Sequence, residues 1–504
     1  MDSRPNILIF MTDHQRGDTV PPFGRAITSN LDSFAESSAM FTNAYCTAPH
    51  CCPSRASFFS GLYPSEHGVW NNVDVGNTLS RGLNDGIRLF SEDLKDNGYR
   101  MYFSGKWHVS AEEGPRERGF GTCFPGHQHY SVKGRTPNTR EWEMYRSGRS
   151  INDMNTATVV KTTDEAGGER LPSYLNREGY PDFSLYGEKY DVFGDEKIVD
   201  AACSFIHEAA ASSDDGAPPW FNYVGVLGPH DPYYVSKEFL DLYPVDSIEL
   251  PDNFYDEMQD KPALYRRTRE RFGQLSEGEY KEAIRHYLAF CSFLDYLFGK
   301  VLSALKKSGQ DENTIVMYLS DHGDYAGEHG LFAKGLPCFK GAYHIPLLIG
   351  GGSVYVQAKG RIYDEMVSIT DIAPTVLDIA GISQRNFSGK SLSGFLKNDP
   401  PDAADWRDAV FTQSNGNELY GIQRSVSTSK WKYVYNGFDY DELYDLESDP
   451  GETFNLAGID SYDHVIREMS ERLWRFAFEH NETSVNPYVM VSLAKYGPGI
   501  IFDN

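Results

Sequence analysis

Two widely separated segments share one pattern, an apolar run of strand length that ends in Asp-His. The runs cover 6–11 and 314–319, and the polar pairs that follow them are Asp13-His14 and Asp321-His322. An unbroken apolar run of this length is typical of a parallel strand buried on both faces. Because such a strand needs helices on both sides of its sheet, the pattern predicts an α/β fold with a large, mostly parallel mixed sheet flanked by helices.

The polar ends of these runs indicate a metal site. Ligands bind at the carboxyl edge of open α/β sheets, and acids and imidazoles that converge there form metal centres. Asp13 alone could equally cap a helix, but the repeated pattern favours coordination. Oxygen ligands prefer Ca²⁺ or Mg²⁺, whereas imidazoles shift the preference toward Mn²⁺ or other transition ions. A divalent cation is therefore expected, with its identity left open.

Composition limits the partners of the chain. Its 504 residues are 40% hydrophobic and 14% aromatic, which is typical of a globular protein. The net charge of −25 argues against nucleic acid or an anionic membrane surface as the main partner. It leaves an anionic substrate possible, because a local pocket of cations can oppose the global field. Oligomeric state cannot be read from the sequence.

Cysteine usage and the N-terminal segment favour a reducing compartment. The seven cysteines show no regular spacing, so reduced thiols are expected. No basic segment followed by an apolar core precedes the first strand, and no run of about 18 apolar residues occurs. We therefore expect a cytoplasmic protein without a membrane span. A periplasmic or secreted protein trimmed of its signal would look identical.

The segment Cys51-Cys52-Pro53-Ser54-Arg55 is the most distinctive motif in the chain. Apolar residues after it recur at helical spacing, so Cys51 is expected where a loop enters a helix and backbone N–H groups suit an anion. An ordinary pair of buried thiols is the alternative. The string, with Ser60-Gly61 after it, resembles the signature of the formylglycine-dependent sulfatases of the alkaline-phosphatase superfamily.

That resemblance implies a modified nucleophile. In the family, the first cysteine of the motif is oxidised by a separate maturation enzyme to formylglycine (3-oxoalanine), and the hydrated aldehyde attacks the substrate. The spacing to Pro53 and Arg55 selects Cys51 rather than Cys52. The family also places metal-binding carboxylates after its first strand, commonly Asp-Asp, where this chain has Asp13-His14. By resemblance, Ca²⁺ is the expected ion.

Further motifs match the family in order along the chain. Gly105-Lys106-Trp107-His108 resembles its second signature, His230 follows an apolar run at 220–226, and Lys334 matches its sulfate-contacting lysine. Lys340 and His344 stand near the places where many members carry a glutamate and an arginine. The resemblance implies these catalytic residues: Cys51, Arg55, Lys106, His108, His230 and Lys334. It implies these metal ligands: Asp13, His14, Cys51, Asp321 and His322.

The implied reaction is hydrolysis of a sulfate monoester. Arg55, Lys106 and Lys334 would clamp the sulfate oxygens, and His230 or Lys334 would protonate the departing oxygen. His108 would take the proton of the second hydroxyl, so that sulfate leaves without attack by water on sulfur. A sulfated saccharide is the preferred substrate over choline or aryl sulfates, because tyrosines and histidines in the irregular segments suit stacking on sugars.

Three other functions remain open at this point. A phosphonate monoester or phosphodiester hydrolase would share the fold and the modification. A thiol phosphatase using unmodified cysteine typically needs an arginine six positions after the cysteine, which neither Cys51 nor Cys52 has. A non-catalytic carbohydrate-binding relative would not be expected to keep the full set of charged residues.

The remaining elements divide the chain into two predicted domains. Ser276-x-x-Glu279 is a capping box that opens the longest predicted helix. After about residue 381, short strands at 430–436 and 442–446 and a helix at 462–480 resemble the small antiparallel subdomain of sulfatases. We therefore expect a catalytic α/β domain at 1–383 and a C-terminal subdomain at 384–504. The irregular stretch 114–195, with His127, His129 and Tyr130, is a candidate substrate loop.

Overall fold

A computed structural model of the chain describes residues 4–125, 170–176, 182–212, 217–352, 354–383, 385–417, 419–483 and 493–503. In this part of the chain the strands are β1 (Asn6–Thr12), β2 (Ser38–Tyr45), β3 (Arg100–Gly105), β4 (Thr122–Pro125), β5 (Tyr174–Leu175), β6 (Phe183–Ser184), β7 (Tyr186–Glu188), β8 (Trp220–Gly225), β9 (Tyr233–Val235), β10 (Thr314–Ser320), β11 (Leu347–Gly351), β12 (Arg361–Ser368), β13 (Ala409–Gly416), β14 (Tyr420–Thr428), β15 (Trp431–Asn436) and β16 (Glu442–Asp445).

The helices of the described chain alternate with these strands. They are α1 (Ser29–Ala35), α2 (Cys51–Ser60), α3 (Pro64–His67), α4 (Phe90–Asp96), α5 (Asp195–Ala211), α6 (Lys237–Leu240), α7 (Ala263–Glu270), α8 (Glu277–Ser308), α9 (Lys340–Tyr343), α10 (Ile372–Ile379), α11 (Ser393–Leu396) and α12 (Asp463–Glu479).

The main sheet has eight strands in the order β12-β2-β11-β10-β1-β8-β3-β4. All neighbouring pairs are parallel except those of β11, which runs antiparallel to β10 and to β2. Every residue of β1 and β10 is buried, as their unbroken apolar runs predict. The predicted mixed sheet with flanking helices is therefore confirmed.

The pairing of β1 with β10 brings the two polar pairs together. Thr12 lies opposite Ser320 in this parallel register, so both chains leave the sheet at the same edge. The N–H of Asp321 donates to the carbonyl of Thr12 at 3.2 Å, and the N–H of Asp13 donates to the carbonyl of Gly228 after β8 at 3.0 Å. Three strand ends therefore converge at one point of the carboxyl edge.

The long helix α8 packs against this sheet. Its predicted capping box is present: the Ser276 hydroxyl accepts from the N–H of Glu279, whose carboxylate accepts from the N–H of Ser276. By length and composition α8 could cross a membrane, but 72% of its apolar window is buried inside the protein. A helix that packs its apolar surface against a sheet has the burial of a core helix in a globular protein.

A small antiparallel sheet, β13-β14-β15-β16, follows the main sheet in the chain. Its strands present alternate side chains to two cores, as expected of a strand with period two. Val434 and Tyr444 belong to the main hydrophobic core, whereas Tyr433, Tyr435 and Leu443 pack in a second core under α12. The predicted sheet and helix of the C-terminal part are present, and the boundary at 383/384 stays a prediction.

Candidate active site

Cys51 is the first residue of α2 and is fully buried at the carboxyl edge of the main sheet. Its Sγ lies 3.3 Å from Nε2 of His322 and 3.6 Å from Oδ1 of Asp13. The backbone N–H groups of the first turn of a helix have no partners within the helix and favour negative charge. The predicted position of the cysteine, where a loop enters a helix, is confirmed.

Arg55 bridges the two carboxylates that follow β1 and β10. Its Nε donates to Oδ2 of Asp321 at 2.8 Å, and its Nη2 donates to Oδ2 of Asp13 at 3.0 Å. Nη1 donates to the hydroxyl of Tyr223 at 2.8 Å and to the carbonyl of Lys106 at 3.2 Å. The side chain has no exposed surface. We expected Arg55 to clamp the sulfate, but four of its five N–H donors bond protein groups, which favours a role in orienting the carboxylates.

Four residues offer ligand atoms that fit a single cation: Asp13, Cys51, Asp321 and His322. One atom from each lies within 4.8 Å of all the others, and all four residues are buried. The carboxylate oxygens not bonded to Arg55 face this group, with Nε2 of His322 at 4.0 Å from Oδ1 of Asp13 and 3.8 Å from Oδ1 of Asp321. Nδ1 of His322 donates to the carbonyl of Gly323 at 2.9 Å, which leaves the lone pair of Nε2 available.

The charges around these four residues favour the protonation states that bind a cation. Burial alone would raise the pKa of Asp13, but Lys106 and Arg55 outweigh burial and hold that pKa well below its usual value. Burial lowers the pKa of His322. An ionised carboxylate and a neutral imidazole are the forms that bind metals. The donor set therefore fits a divalent ion.

His14 lies beside this group and has other partners. Its Nδ1 is 3.2 Å from Oδ2 of Asp324, and its Nε2 is 2.6 Å from Nζ of Lys334. Its ring contacts that of His230 with a centroid distance of 3.9 Å and an interplanar angle of 38°. A second set of ligand atoms within 4.8 Å consists of Asp13, His14, Cys51 and His230. Geometry alone therefore leaves coordination by His14 possible.

Lys106 and His108 follow β3 and lie close to residue 51. Nζ of Lys106 bonds Oδ2 of Asp13, and Nε2 of His108 bonds Oδ1 of Asp74 at 3.1 Å. Burial and Lys106 act to lower the pKa of His108, but its contacts with Asp74 and Cys51 outweigh them and raise it. Strand β3 ends at Gly105 and His108 has a left-handed backbone with φ 53°, so the two side chains do not come from one extended strand.

His230 and Lys334 complete the ring of side chains around residue 51. Nδ1 of His230 lies 2.6 Å from the carbonyl of Asp231, and burial lowers its pKa to about 4. Burial acts to lower the pKa of Lys334, but Cys51 and Asp231 outweigh burial and raise it. Lys106 shows the same balance, with Asp13 as the strongest opposing charge. The two lysines therefore stay charged.

Sequence reasoning missed several buried residues that support this site. Asp324 accepts from the hydroxyl of Tyr233 at 2.7 Å, and Asp195 accepts from the N–H of Gly228 at 2.8 Å. Burial raises the pKa of both carboxyls to about 7. Asp324 could have been found from its place two residues after His322. No sequence pattern indicated a role for Asp195 in the site, because an acid in the first turn of a helix is common and favourable there.

His50 was also missed. It directly precedes Cys51, is 3% exposed, and its Nδ1 has no hydrogen-bond partner in the described part of the chain. Burial lowers its pKa, and Lys334 and His322 are close enough to add to this shift. A buried polar atom without a partner beside a site is unusual, and a bound ligand would explain it.

Lys340 and His344, which stand near the places of the family's glutamate and arginine, bond groups outside the ring around residue 51. The N–H of Lys340 donates to Oε2 of Glu452 at 2.7 Å, and Nε2 of His344 lies 2.7 Å from the carbonyl of Thr42. Neither joins the ring around residue 51, so their alignment with the glutamate and arginine of other members has no support in these contacts. The candidate loop residues His127, His129 and Tyr130 lie outside the described residues.

Comparison with known families agrees with this geometry. The sulfatase family model matches residues 5–382, and the model for the C-terminal region of N-sulphoglucosamine sulphohydrolase matches residues 327–479. Fold and site define an alkaline-phosphatase-like hydrolase with a cysteine motif at its centre. The chain belongs to the sulfatase family and is a sulfuric ester hydrolase. Members of this family generally use formylglycine and a metal ion.

Individual relatives span nearly the whole chain. A choline-sulfatase of Rhizobium meliloti (strain 1021) is 26% identical over 94% of this chain and 90% of its own length. An arylsulfatase K of Xenopus laevis is 27% identical over 96% of this chain and 84% of its own length. The two names differ in the substrate they state, so sequence similarity at this level does not specify the ester.

Solved structures share the fold. A 2-O GAG sulfatase superposes with a TM-score of 0.72 at 21% identity, covering 99% of this chain and 97% of its own. A protein in complex with its substrate D-glucosamine-2-N,6-O-disulfate gives 0.71 at 21%, covering 95% and 99%. The phosphonate monoester hydrolase of Agrobacterium radiobacter gives 0.73 at 20%, covering 95% and 96%. One fold therefore serves sulfate and phosphonate esters.

Proposed function

We propose that this sulfatase hydrolyses a sulfate monoester on a saccharide, with formylglycine formed at Cys51 as the nucleophile and one divalent cation beside it. The observation that carries the proposal is the convergence of Cys51 with Asp13, Asp321 and His322 at one sheet edge. Ligand atoms from three distant parts of the chain meet around the single cysteine that the motif selects. A pair of structural thiols would require none of these charged neighbours.

The cation would be held by Asp13, Asp321, His322 and residue 51. When bound, it supplies a Lewis acid that lowers the pKa of a hydroxyl and offsets negative charge on the ester. The two carboxylates suit Ca²⁺ or Mg²⁺ and the imidazole suits Mn²⁺, and the family resemblance makes Ca²⁺ the proposed ion. Elemental analysis of purified enzyme identifies the ion.

Proton removal from residue 51 is assigned to His108. Asp74 bonds Nε2 of this imidazole, and Nδ1 has no hydrogen-bond partner in the described chain. The hydrate of an aldehyde carries two hydroxyls, of which one attacks sulfur. A base that removes the proton of the other hydroxyl allows the aldehyde to re-form and sulfate to leave. Nδ1 of His108, beside Cys51, suits that task.

Charge on the ester is balanced by Lys106 and Lys334. Both ammonium groups are largely buried beside residue 51, where a point charge stabilises an anionic transition state more than it would in water. His230 lies close to Lys334 and has a pKa of about 4, so its ring is neutral, and the charged Lys334 is the group that would protonate the departing oxygen. Arg55 supports the reaction indirectly, through the carboxylates it orients.

A sulfated saccharide is the proposed substrate class. Support comes from the structural neighbour whose bound substrate is a glucosamine disulfate and from the neighbour named as a 2-O GAG sulfatase. Choline sulfate is the competing substrate, because a relative of almost full length carries that name. A sulfate-release screen over defined sulfated oligosaccharides, choline sulfate and aryl sulfates separates these classes.

Phosphonate monoester hydrolysis is the second candidate function. The phosphonate monoester hydrolase neighbour matches the fold as well as the sulfatases do. Its substrate, like a sulfate monoester, carries a single negative charge. The two functions therefore make similar demands on the lysines and differ in the preferred central atom.

The deciding experiment uses enzyme produced together with a formylglycine-generating enzyme. We expect mass spectrometry of the peptide containing Cys51 to show the aldehyde, and we expect a higher kcat/KM for nitrophenyl sulfate than for a nitrophenyl phosphonate monoester. Active enzyme with an intact thiol at residue 51 would refute the nucleophile. A clear preference for the phosphonate would select the second function.

A further inference from the structure

His14 occupies the position where the family resemblance suggests a metal-binding carboxylate, yet both of its ring nitrogens face protein groups. The imidazole is fully buried, with Nδ1 at 3.2 Å from Oδ2 of Asp324 and Nε2 at 2.6 Å from Nζ of Lys334. A lysine ammonium has three donors and no acceptor. Nε2 of His14 must therefore accept from Lys334, so the ring proton lies on Nδ1 and is donated to Asp324.

Asp324 is itself fixed on both oxygens. Oδ2 accepts from the hydroxyl of Tyr233 at 2.7 Å, and Oδ1 accepts from the N–H of Ala326 at 2.8 Å. The hydroxyl of Tyr233 in turn accepts from the N–H of Ala333 at 3.1 Å. Ala333 directly precedes Lys334, so the hydroxyl of Tyr233 bonds both Asp324 and the backbone next to Lys334. The series Tyr233–Asp324–His14–Lys334 is thus closed, with each proton and acceptor assigned.

The backbone supports a specific role for this series. His14 has φ 67° and Ala333 has φ 61°, both in the left-handed region that is unfavourable for residues other than glycine. Such conformations persist where the surroundings fix them, and they concentrate at functional sites. Here they occur at the residue that accepts from Lys334 and at the residue before Lys334.

We propose that Asp324 and His14 are positioning residues that hold the ammonium of Lys334 against the ester, and that His14 does not bind the metal. The inference rests on the proposed function, in which Lys334 contacts the substrate. One N–H of the ammonium is used by His14, which leaves two for the ester oxygens. The ligands of the cation are then Asp13, Asp321, His322 and residue 51.

The competing arrangement uses the second set of ligand atoms, in which His14 joins Asp13, Cys51 and His230. In that arrangement Nε2 of His14 binds the ion and Lys334 loses its acceptor. The two arrangements differ in what the loss of His14 does to metal affinity. They also differ in whether Asp324 and Lys334 act together.

The first arm of the test measures metal binding without turnover. We expect His14→Gln and His14→Asn to bind one divalent ion per chain with an affinity within about threefold of the metal-stripped parent in calorimetric titration. Loss of a true ligand, or of its orientation, typically costs 10- to 100-fold in affinity or more. A weakening of that size in both variants would overturn the proposal.

The second arm is a double-mutant cycle between Asp324 and Lys334. In Asp324→Asn, the amide oxygen keeps the N–H of Ala326, so the amide NH₂ faces Nδ1 of His14. Nδ1 must then accept, and the ring proton moves to Nε2. There it points at the ammonium of Lys334. We expect kcat to fall about 10- to 100-fold in the parent but less than about threefold in Lys334→Ala. Equal losses in both backgrounds would mean that Asp324 acts independently of Lys334 and would overturn the proposal.

Asp256→Asn is the matched control. Asp256 accepts from Nδ1 of His329 at 2.8 Å in a second buried Asp–His pair away from residue 51. We expect it to lower the melting temperature without changing kcat, while circular dichroism verifies that all variants fold. If the parent hydrolyses neither sulfate nor phosphonate esters, the proposed function fails, and the metal titration still decides whether His14 is a ligand.

Discussion

At the scale of single residues, the site separates groups that meet the ester from groups that hold other groups. Lys106, His108 and Lys334 surround residue 51, whereas Arg55 spends its donors on Asp13, Asp321, Tyr223 and a carbonyl. A planar guanidinium can bond two carboxylates at once, which an ammonium cannot do in the same geometry. The arginine of the motif therefore acts on the metal site.

Arg55→Lys is expected to weaken metal binding. One carboxylate loses its partner and its fixed orientation, so calorimetric titration of metal-stripped enzyme should show a 10- to 100-fold loss of affinity. Arg407→Lys is the matched control, since Arg407 bonds both oxygens of Asp371 in a buried pair. It should lower stability and leave metal affinity unchanged. Unchanged affinity in Arg55→Lys, together with a raised KM for the ester, would restore Arg55 as a sulfate clamp.

Cys51→Ser is expected to stop after one turnover. A serine hydroxyl can attack sulfur, but it lacks the second hydroxyl whose deprotonation releases sulfate. Mass spectrometry of the intact variant after incubation with substrate should show a stable sulfate ester on the introduced serine, with nitrophenol released in a single stoichiometric burst. Cys52→Ser should turn over normally, because it leaves the motif cysteine in place. Sustained turnover by Cys51→Ser would contradict the proposed release step.

At the scale of elements, helix α3 is locked onto the nucleophile helix α2 by a buried histidine. Nε2 of His67 lies 3.0 Å from the hydroxyl of Ser57, and the N–H of Val69 donates to its Nδ1 at 3.1 Å. Nδ1 therefore accepts and Nε2 carries the proton in a neutral ring. Burial lowers the pKa of His67 to about 3. Protonation would place a second proton against the N–H of Val69.

This histidine makes stability depend on pH in a defined direction. Between about pH 6.5 and pH 3 the unfolded chain binds a proton that the folded chain does not, so stability is complete above 6.5 and falls as the pH falls. The loss is about 1.4 kcal/mol per pH unit. In urea unfolding, the stability gap between parent and His67→Gln should therefore shrink by about 2 kcal/mol from pH 7 to pH 5. Ser57→Ala keeps the titrating group, so its gap should stay constant, and a constant gap for His67→Gln would contradict the account.

The sequence could predict elements whose local pattern is unambiguous. Strands β1 and β10 follow from unbroken apolar runs, and the start of α8 follows from Ser276 and Glu279. Asp13 and Asp321 could be paired because parallel strands end at one edge. The tasks of Arg55 and Asp324 depend on which groups lie opposite them in space, and no local pattern carries that information. The motif was thus enough to identify the site residues, whereas the contacts of each residue could be seen only in the folded structure.

At the scale of the whole molecule, the C-terminal part is joined to the catalytic part through a shared core. Leu392, Phe395, Leu396, Trp406, Val434 and Tyr444 all belong to the main hydrophobic core. The N–H of Gln413 donates to the carbonyl of Thr47 at 2.8 Å. The two family models also overlap, ending at 382 and beginning at 327. A cut at 383/384 would therefore pass through the main hydrophobic core.

Residues 1–383 are not expected to fold without residues 384–504. Each large apolar side chain contributes about 2 kcal/mol when fully buried, so losing the six that 384–504 supply costs about 12 kcal/mol, comparable to the net stability of a typical protein. Residues 1–383 expressed alone should be insoluble or lack a cooperative transition, whereas the full chain should unfold in one calorimetric transition. Co-expression with a separate 384–504 chain is the matched control and should restore a soluble complex. A folded 1–383, or two well-separated transitions in the full chain, would show instead that the main core closes without its C-terminal contributors.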